Sequence, residues 1–132
     1  MSLVTTLTQA DQSHPPLVLI HGLGSAATAF KPIIPALAHR FRVITVDLPG
    51  HGKSAYIKGQ AMDPKSLGRA IFETVEREYG IDQFHVAGNS LGGWIALEMG
   101  ADQPNRIQSL TALAPAGLWL KPAFRDFQQK NS

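Results

Sequence analysis

The chain has 132 residues, 44% of them hydrophobic and 17% charged, with twelve glycines and nine prolines, a balance that fits one packed domain and excludes a disordered or collagen-like chain. Its net charge of +2 comes from twelve Lys and Arg scattered among ten Asp and Glu, which excludes a nucleic-acid stripe, while the lack of cysteine excludes disulfides, thiolate-bound zinc and a thiol nucleophile. No apolar run approaches a membrane span, so a cytoplasmic protein without membrane or nucleic-acid partners is the expectation.

Residues 1–16 are polar, and the first predicted element follows them. Leu17-Val18-Leu19-Ile20 is a continuous apolar run behind Pro15-Pro16, the pattern of a strand buried on both faces. The turn after it, Gly22-Leu23-Gly24-Ser25-Ala26-Ala27, matches G-x-G-x-x-A, and Asp47 stands 20 residues beyond Ala27. That raises a dinucleotide-binding domain as an alternative. Pro32 and Pro35 oppose it, because a helix starting inside the glycine turn would carry both prolines in its interior at about 3 kcal/mol each. A helix from about 32–34 to His39 is expected instead.

Residues 41–46 (FRVITV) form the second predicted strand. The loop behind it, Gly50-His51-Gly52-Lys53-Ser54, ends like a phosphate-binding loop, but the position where that motif needs its first glycine holds Asp47, whose carboxylate repels phosphate. Asp63-Pro64 then reads as N-cap and first helical residue, with Leu67, Ala70, Ile71, Thr74, Val75 and Tyr79 at helical spacing before Gly80.

Residues 84–87 (FHVA) form the third strand. Behind it lies Gly88-Asn89-Ser90-Leu91-Gly92, a G-x-S-x-G that composition alone would supply about 0.06 times in such a chain. Here a serine stands in a strained turn, with glycines two before and two after where side chains would collide. The turn leads into a helix over 91–102, apolar nearly all round and so expected to be buried, which ends before Pro104. The dipole and free N–H groups at its start favour negative charge beside Ser90. The plain alternative is an ordinary strand-to-helix turn with a small polar residue. A fourth strand over 107–113 follows, then a tail in which Trp119, Leu120, Phe124 and Phe127 alternate with polar residues. The alternation of strands and helices predicts an α/β fold with a mostly parallel central sheet in a three-layer sandwich.

Three segments, His21-Gly22-Leu23-Gly24, Asp47-Leu48-Pro49-Gly50-His51-Gly52-Lys53-Ser54 and Gly88-Asn89-Ser90-Leu91-Gly92-Gly93, each follow a strand in this order. In this the chain resembles the α/β-hydrolase fold family, over residues 15 to about 117. The resemblance implies that Ser90 is the catalytic nucleophile and that the backbone N–H groups of Leu23 and Leu91 form the oxyanion hole. Gly88 and Gly92 would be the elbow glycines and Asp47 a structural residue of its loop. It further implies four central strands, with the second outermost on one side and the fourth on the other. A small-molecule acyl substrate is the implied partner, and the chemistry needs no metal or organic cofactor. The elbow also resembles that of enzymes cleaving carbon–carbon bonds in ring-fission products. Epoxide and dehalogenase chemistry is disfavoured, since those relatives carry an acid where Ser90 stands.

In that family the base is a histidine after the serine, preceded by an acid. Here His14, His21, His39, His51 and His85 all precede Ser90. Of these, His21 and His51 lie near enough in the chain's loops to be weighed as substitutes. The expectation is therefore that residues 1–117 are the N-terminal half of a hydrolase core, truncated after the strand at 107–113, with 118–132 beginning a cap. Such a chain would be an inactive serine hydrolase by itself, with an open sheet edge that self-associates or pairs with a missing C-terminal half. A non-catalytic ligand-binding module is the alternative from another class.

Overall fold

The computed structural model describes residues 3–8, 12–56, 58–59 and 61–114. Five strands, β1 (Val4–Leu7), β2 (Pro16–Ile20), β3 (Arg42–Asp47), β4 (Phe84–Asn89) and β5 (Ile107–Leu113), form one sheet in the order β1-β3-β2-β4-β5. The four expected strands are parallel, because each crossover is long enough to return the chain to the same end.

The strand at 4–7 corrects the reading of residues 1–16. β1 pairs antiparallel with β3, so β3 is flanked on both sides and is not the outermost strand. Val4-Thr5-Thr6-Leu7 lacks an apolar run because an edge strand is only partly covered. It is tied down by long-range contacts: Val4 N–H donates to Ser54 Oγ at 2.9 Å, and the Thr5 and Tyr79 hydroxyls meet at 2.6 Å.

Alternation along the buried strands feeds two layers of core. Val18, Ile20, Ile44, Val46, Phe84 and Val86 face α2 (Pro64–Tyr79) and α3 (Leu91–Asp102). Leu17, Leu19 and Val43 face the other way, toward Phe30, Ile34 and Leu37. This second layer is thin. A 3-10 turn (Ala27–Phe30) and a single α-turn, α1 (Ile34–Leu37), stand where a longer helix was expected. Pro32 precedes α1 and Pro35 lies in its first turn, where no donor is needed, so the helix starts where both prolines are accommodated.

α2 has the expected bounds. Asp63 caps it by accepting the Ser66 N–H at 3.1 Å, and Pro64 occupies the first turn, where no donor is needed. α3 also has the expected bounds, but its burial is one-sided. Gly92, Gly93, Ile95, Ala96 and Met99 are buried, whereas Trp94 and Leu97 are each 37% exposed. The segment 118–132, expected to begin a cap, lies outside the described residues.

Candidate active site

Ser90 joins β4 to α3 at φ 56° and ψ −115°, a conformation that costs a non-glycine residue about 1–3 kcal/mol and persists only where neighbours enforce it. The neighbours are backbone. A side-chain carbon on Gly88 would overlap the carbonyl of Gly92, and one on Gly92 would overlap the carbonyl of Ile20. The Ser90 N–H donates to Leu113 O at 2.9 Å, which fastens the bend to β5.

This geometry disfavours the plain alternative of a capping serine. A serine at an N-cap ordinarily turns its oxygen onto the first amides of the helix, yet Ser90 makes no side-chain cap hydrogen bond. Its side chain instead faces the first glycine loop. A methyl on Gly22 would stand 3.3 Å from Ser90 Cβ and 3.9 Å from Oγ. The loops after β2 and β4 therefore meet at Ser90, which is half-buried.

Of the two candidate donors, Leu91 is the first residue of α3. The first intrahelical bond at this end runs from Trp94 N–H to Ser90 O at 3.1 Å, so the Leu91 amide precedes the helical ladder. Leu23 lies beside Gly22 in a turn closed by Ser25 N–H on Gly22 O at 3.1 Å. Its side chain is 75% exposed. The Gly22 carbonyl also faces His21 Nδ1 at 2.7 Å, and in a trans peptide the Leu23 N–H points opposite to that carbonyl.

His21 and His51 both lie at the Ser90 end of the sheet, with ring centroids 5.1 Å apart, but neither is free to act as a base. His21 is 1% exposed and its Nε2 accepts the Leu48 N–H at 3.0 Å, so its proton resides on Nδ1 and is donated to Gly22 O. Burial holds its pKa below the usual 6.5, partly offset by the Gly22 carbonyl. The His51 Nε2 accepts the Gly24 N–H at 2.9 Å and its Nδ1 lies 3.0 Å from Pro49 O. His14, His39 and His85 lie at the opposite end of the parallel strands; His85 is the second residue of β4, roughly 15 Å from Ser90 along the strand, and faces Ser109 Oγ at 2.6 Å.

Asp47 has a structural role in this arrangement. It is buried, its Oδ1 accepts Ala27 N–H at 2.8 Å and its Oδ2 accepts Lys53 N–H at 3.2 Å, so one carboxylate joins the first two loops. A side chain at Gly52 would overlap that carboxylate, which explains the glycine. This also removes the dinucleotide reading: no helix opens in the first glycine turn, and the acid proposed for a ribose is occupied by amides. A cavity of about 470 Å³ beside Asp47, bounded by Thr6, Thr28, Lys31 and Thr45, does not include Ser90 among its lining residues.

Sequence reasoning weighed His21 and His51 as bases and missed what their rings hold. The available signal was their placement inside two glycine turns that Asp47 draws together.

Comparison with known proteins places the fold. Residues 15–130 match the family model described as alpha/beta hydrolase fold. The chain is 40% identical over 103 residues to the dihydrolipoyllysine-residue acetyltransferase component of the acetoin cleaving system of Pseudomonas putida, covering 78% of this chain and 27% of that protein. It is 37% identical over 95 residues to the pimeloyl-[acyl-carrier protein] methyl ester esterase of Legionella pneumophila (strain Lens), covering 72% and 36%. A crystal structure of a hydrolase from Pseudomonas aeruginosa superposes with a TM-score of 0.82 at 28% identity, covering 96% of this chain and 46% of that one. The chain thus spans about a third of the length of the curated relatives it matches. Among the described residues, no helix is long and apolar enough to cross a membrane.

Proposed function

Because this chain belongs to the α/β hydrolase fold family, we propose that it carries the nucleophile and oxyanion hole of a serine hydrolase acting on esters or related acyl compounds. Ser90 Oγ attacks the acyl carbon, and the negative charge on the carbonyl oxygen is stabilised by the N–H groups of Leu23 and Leu91. The hydroxyl proton passes to a base and from it to the leaving alcohol as the carbon–oxygen bond breaks. Water then cleaves the acyl-serine, releasing the acid and restoring Ser90. The observation that carries this reading is the strained bend at Ser90, whose side chain faces the Gly22 turn while its oxygen caps nothing.

No histidine follows Ser90, and both rings near it are engaged. In this reading the base is supplied from outside these 132 residues. The unpaired side of β5, among the described residues, and the exposed Trp94 and Leu97 of α3 support pairing with a second copy or with a C-terminal remainder of the fold.

Phenylboronic acid tests the proposal without needing a histidine base: boron takes the Ser90 oxygen reversibly, the hydroxyl proton passes to the buffer, and a negatively charged tetrahedral adduct forms. The chain is expected to give a tetrahedral boron-11 signal that Ser90→Ala abolishes. The same chain is expected to hydrolyse p-nitrophenyl acetate about 10⁶-fold more slowly than an enzyme with a complete triad. An adduct that survives Ser90→Ala, or none with the unaltered chain, would favour the non-catalytic binding module.

A further inference from the structure

The peptide joining Gly22 to Leu23 carries one of the two proposed oxyanion donors, the Leu23 N–H, and it is held from its carbonyl side. Two donors meet the Gly22 carbonyl: the Ser25 N–H at 3.1 Å, which closes the turn, and His21 Nδ1 at 2.7 Å. One donor alone leaves a peptide free to swing about that contact. A second donor on the same oxygen, which has two lone pairs, fixes the plane. Because the N–H of a trans peptide points opposite to its carbonyl, the direction of the Leu23 N–H is fixed with it. The Leu23 side chain, being exposed, supplies no anchor of its own.

The ring that makes the shorter of these bonds is itself a fixed post. It follows directly on β2, it is buried, and its Nε2 accepts the N–H of Leu48, a fully buried residue of the loop behind β3, at 3.0 Å. That bond selects the tautomer. With Nε2 an acceptor, the neutral ring carries its proton on Nδ1 and donates it to the Gly22 carbonyl. The other tautomer would set an Nδ1 lone pair against that carbonyl oxygen and an N–H against the Leu48 N–H. The chain of Leu48 N–H, His21 ring and Gly22 carbonyl therefore lets the loop behind β3 set the direction of an amide in the turn behind β2.

We propose that His21 is a positioning residue for the oxyanion hole: its ring, with the proton kept on Nδ1 by the Leu48 N–H, fixes the Gly22–Leu23 peptide and so keeps the Leu23 N–H directed at the oxygen that develops charge. This rests on the reading of Ser90 and Leu23 given above. His21 passes no proton to the substrate in this role.

Three variants separate the donor to Gly22 from the rest of the ring. Asn places an amide nitrogen near Nδ1, Gln places its amide near Nε2 and leaves the Nδ1 position empty, and Leu supplies neither. His21→Asn is expected to keep the phenylboronic acid dissociation constant within about threefold of the unaltered chain, whereas His21→Gln and His21→Leu raise it about tenfold or more. The urea midpoint of each variant is read alongside. Affinity that falls with the midpoint, in His21→Asn as much as in His21→Leu, would mark the ring as merely structural and overturn the inference. Nitrogen-15 spectra of the unaltered chain need no variant: His21 is expected to be protonated on Nδ1, with through-hydrogen-bond coupling from the Leu48 amide to Nε2. A proton on Nε2, or a His21→Leu chain that binds as tightly as the unaltered one, would also overturn it. Failure of the Ser90 reading looks different: the boronate adduct is missing from the start or persists in Ser90→Ala, whereas failure of this inference leaves a Ser90-dependent adduct whose affinity ignores the Nδ1 donor.

Discussion

Ser90 adopts its left-handed conformation because backbone surrounds it: Gly88 lies against the Gly92 carbonyl, Gly92 against the Ile20 carbonyl, and its own N–H is taken by Leu113. A single methyl group tests that packing. Gly92→Ala sets a carbon onto a β2 carbonyl that cannot rotate aside, so it is expected to cost about 3 kcal/mol or more, read from the urea midpoint. An unchanged midpoint would show that the bend is looser than described. His21 gives a second prediction at this scale. Burial lowers its pKa, so the folded chain binds fewer protons than the unfolded chain. Its contribution to stability is complete above about pH 6.5 and is lost as pH falls below that toward the folded-state value. The urea midpoint is expected to drop between about pH 7 and about pH 5, and His21→Asn to flatten that slope. Equal slopes in the two proteins would remove His21 as the cause.

Among the elements, α2 owes its start to local chemistry. Asp63 accepts the Ser66 N–H, the Ser66 hydroxyl first and this N–H second lower the Asp63 pKa, and Pro64 fixes the first turn. Asp63→Ala is expected to lower the melting midpoint by about 3–5 °C, while Asp63→Asn, which keeps an acceptor, stays near the original. Equal melting of both variants would show that the cap is immaterial. α1 illustrates the opposite case. Its apolar residues Ile34 and Leu37 pack on the sheet, but it is a single turn, so the layer it belongs to is thin.

At the scale of the whole molecule, the sheet ends, among the described residues, in antiparallel β1 on one side and in parallel β5 on the other. Leu113 is 54% exposed at that end, and α3 presents Trp94 and Leu97 nearby in sequence to the bend. Exposed apolar groups next to unpaired strand amides favour association. Size exclusion with light scattering is expected to return a mass above that of one chain, rising with concentration. A stable monomer at every concentration would contradict the pairing.

What the amino-acid order determined alone is whatever depends on near neighbours. Runs of apolar residues made β2, β3 and β4 legible, Asp63-Pro64 and the 3.6-residue spacing marked α2, and two glycines flanking a serine marked the bend. Tertiary structure decided what depends on distant partners. Val4–Leu7 is a strand only because β3 offers it an edge, and α3 is exposed on one side because apolar composition does not specify what covers it. His21 and His51 could be weighed as bases until the structure showed their nitrogens occupied by amides and carbonyls, His51 by an amide 27 positions away. A hydrogen bond assigns a ring its proton, and that partner is found in space, not in the adjoining sequence.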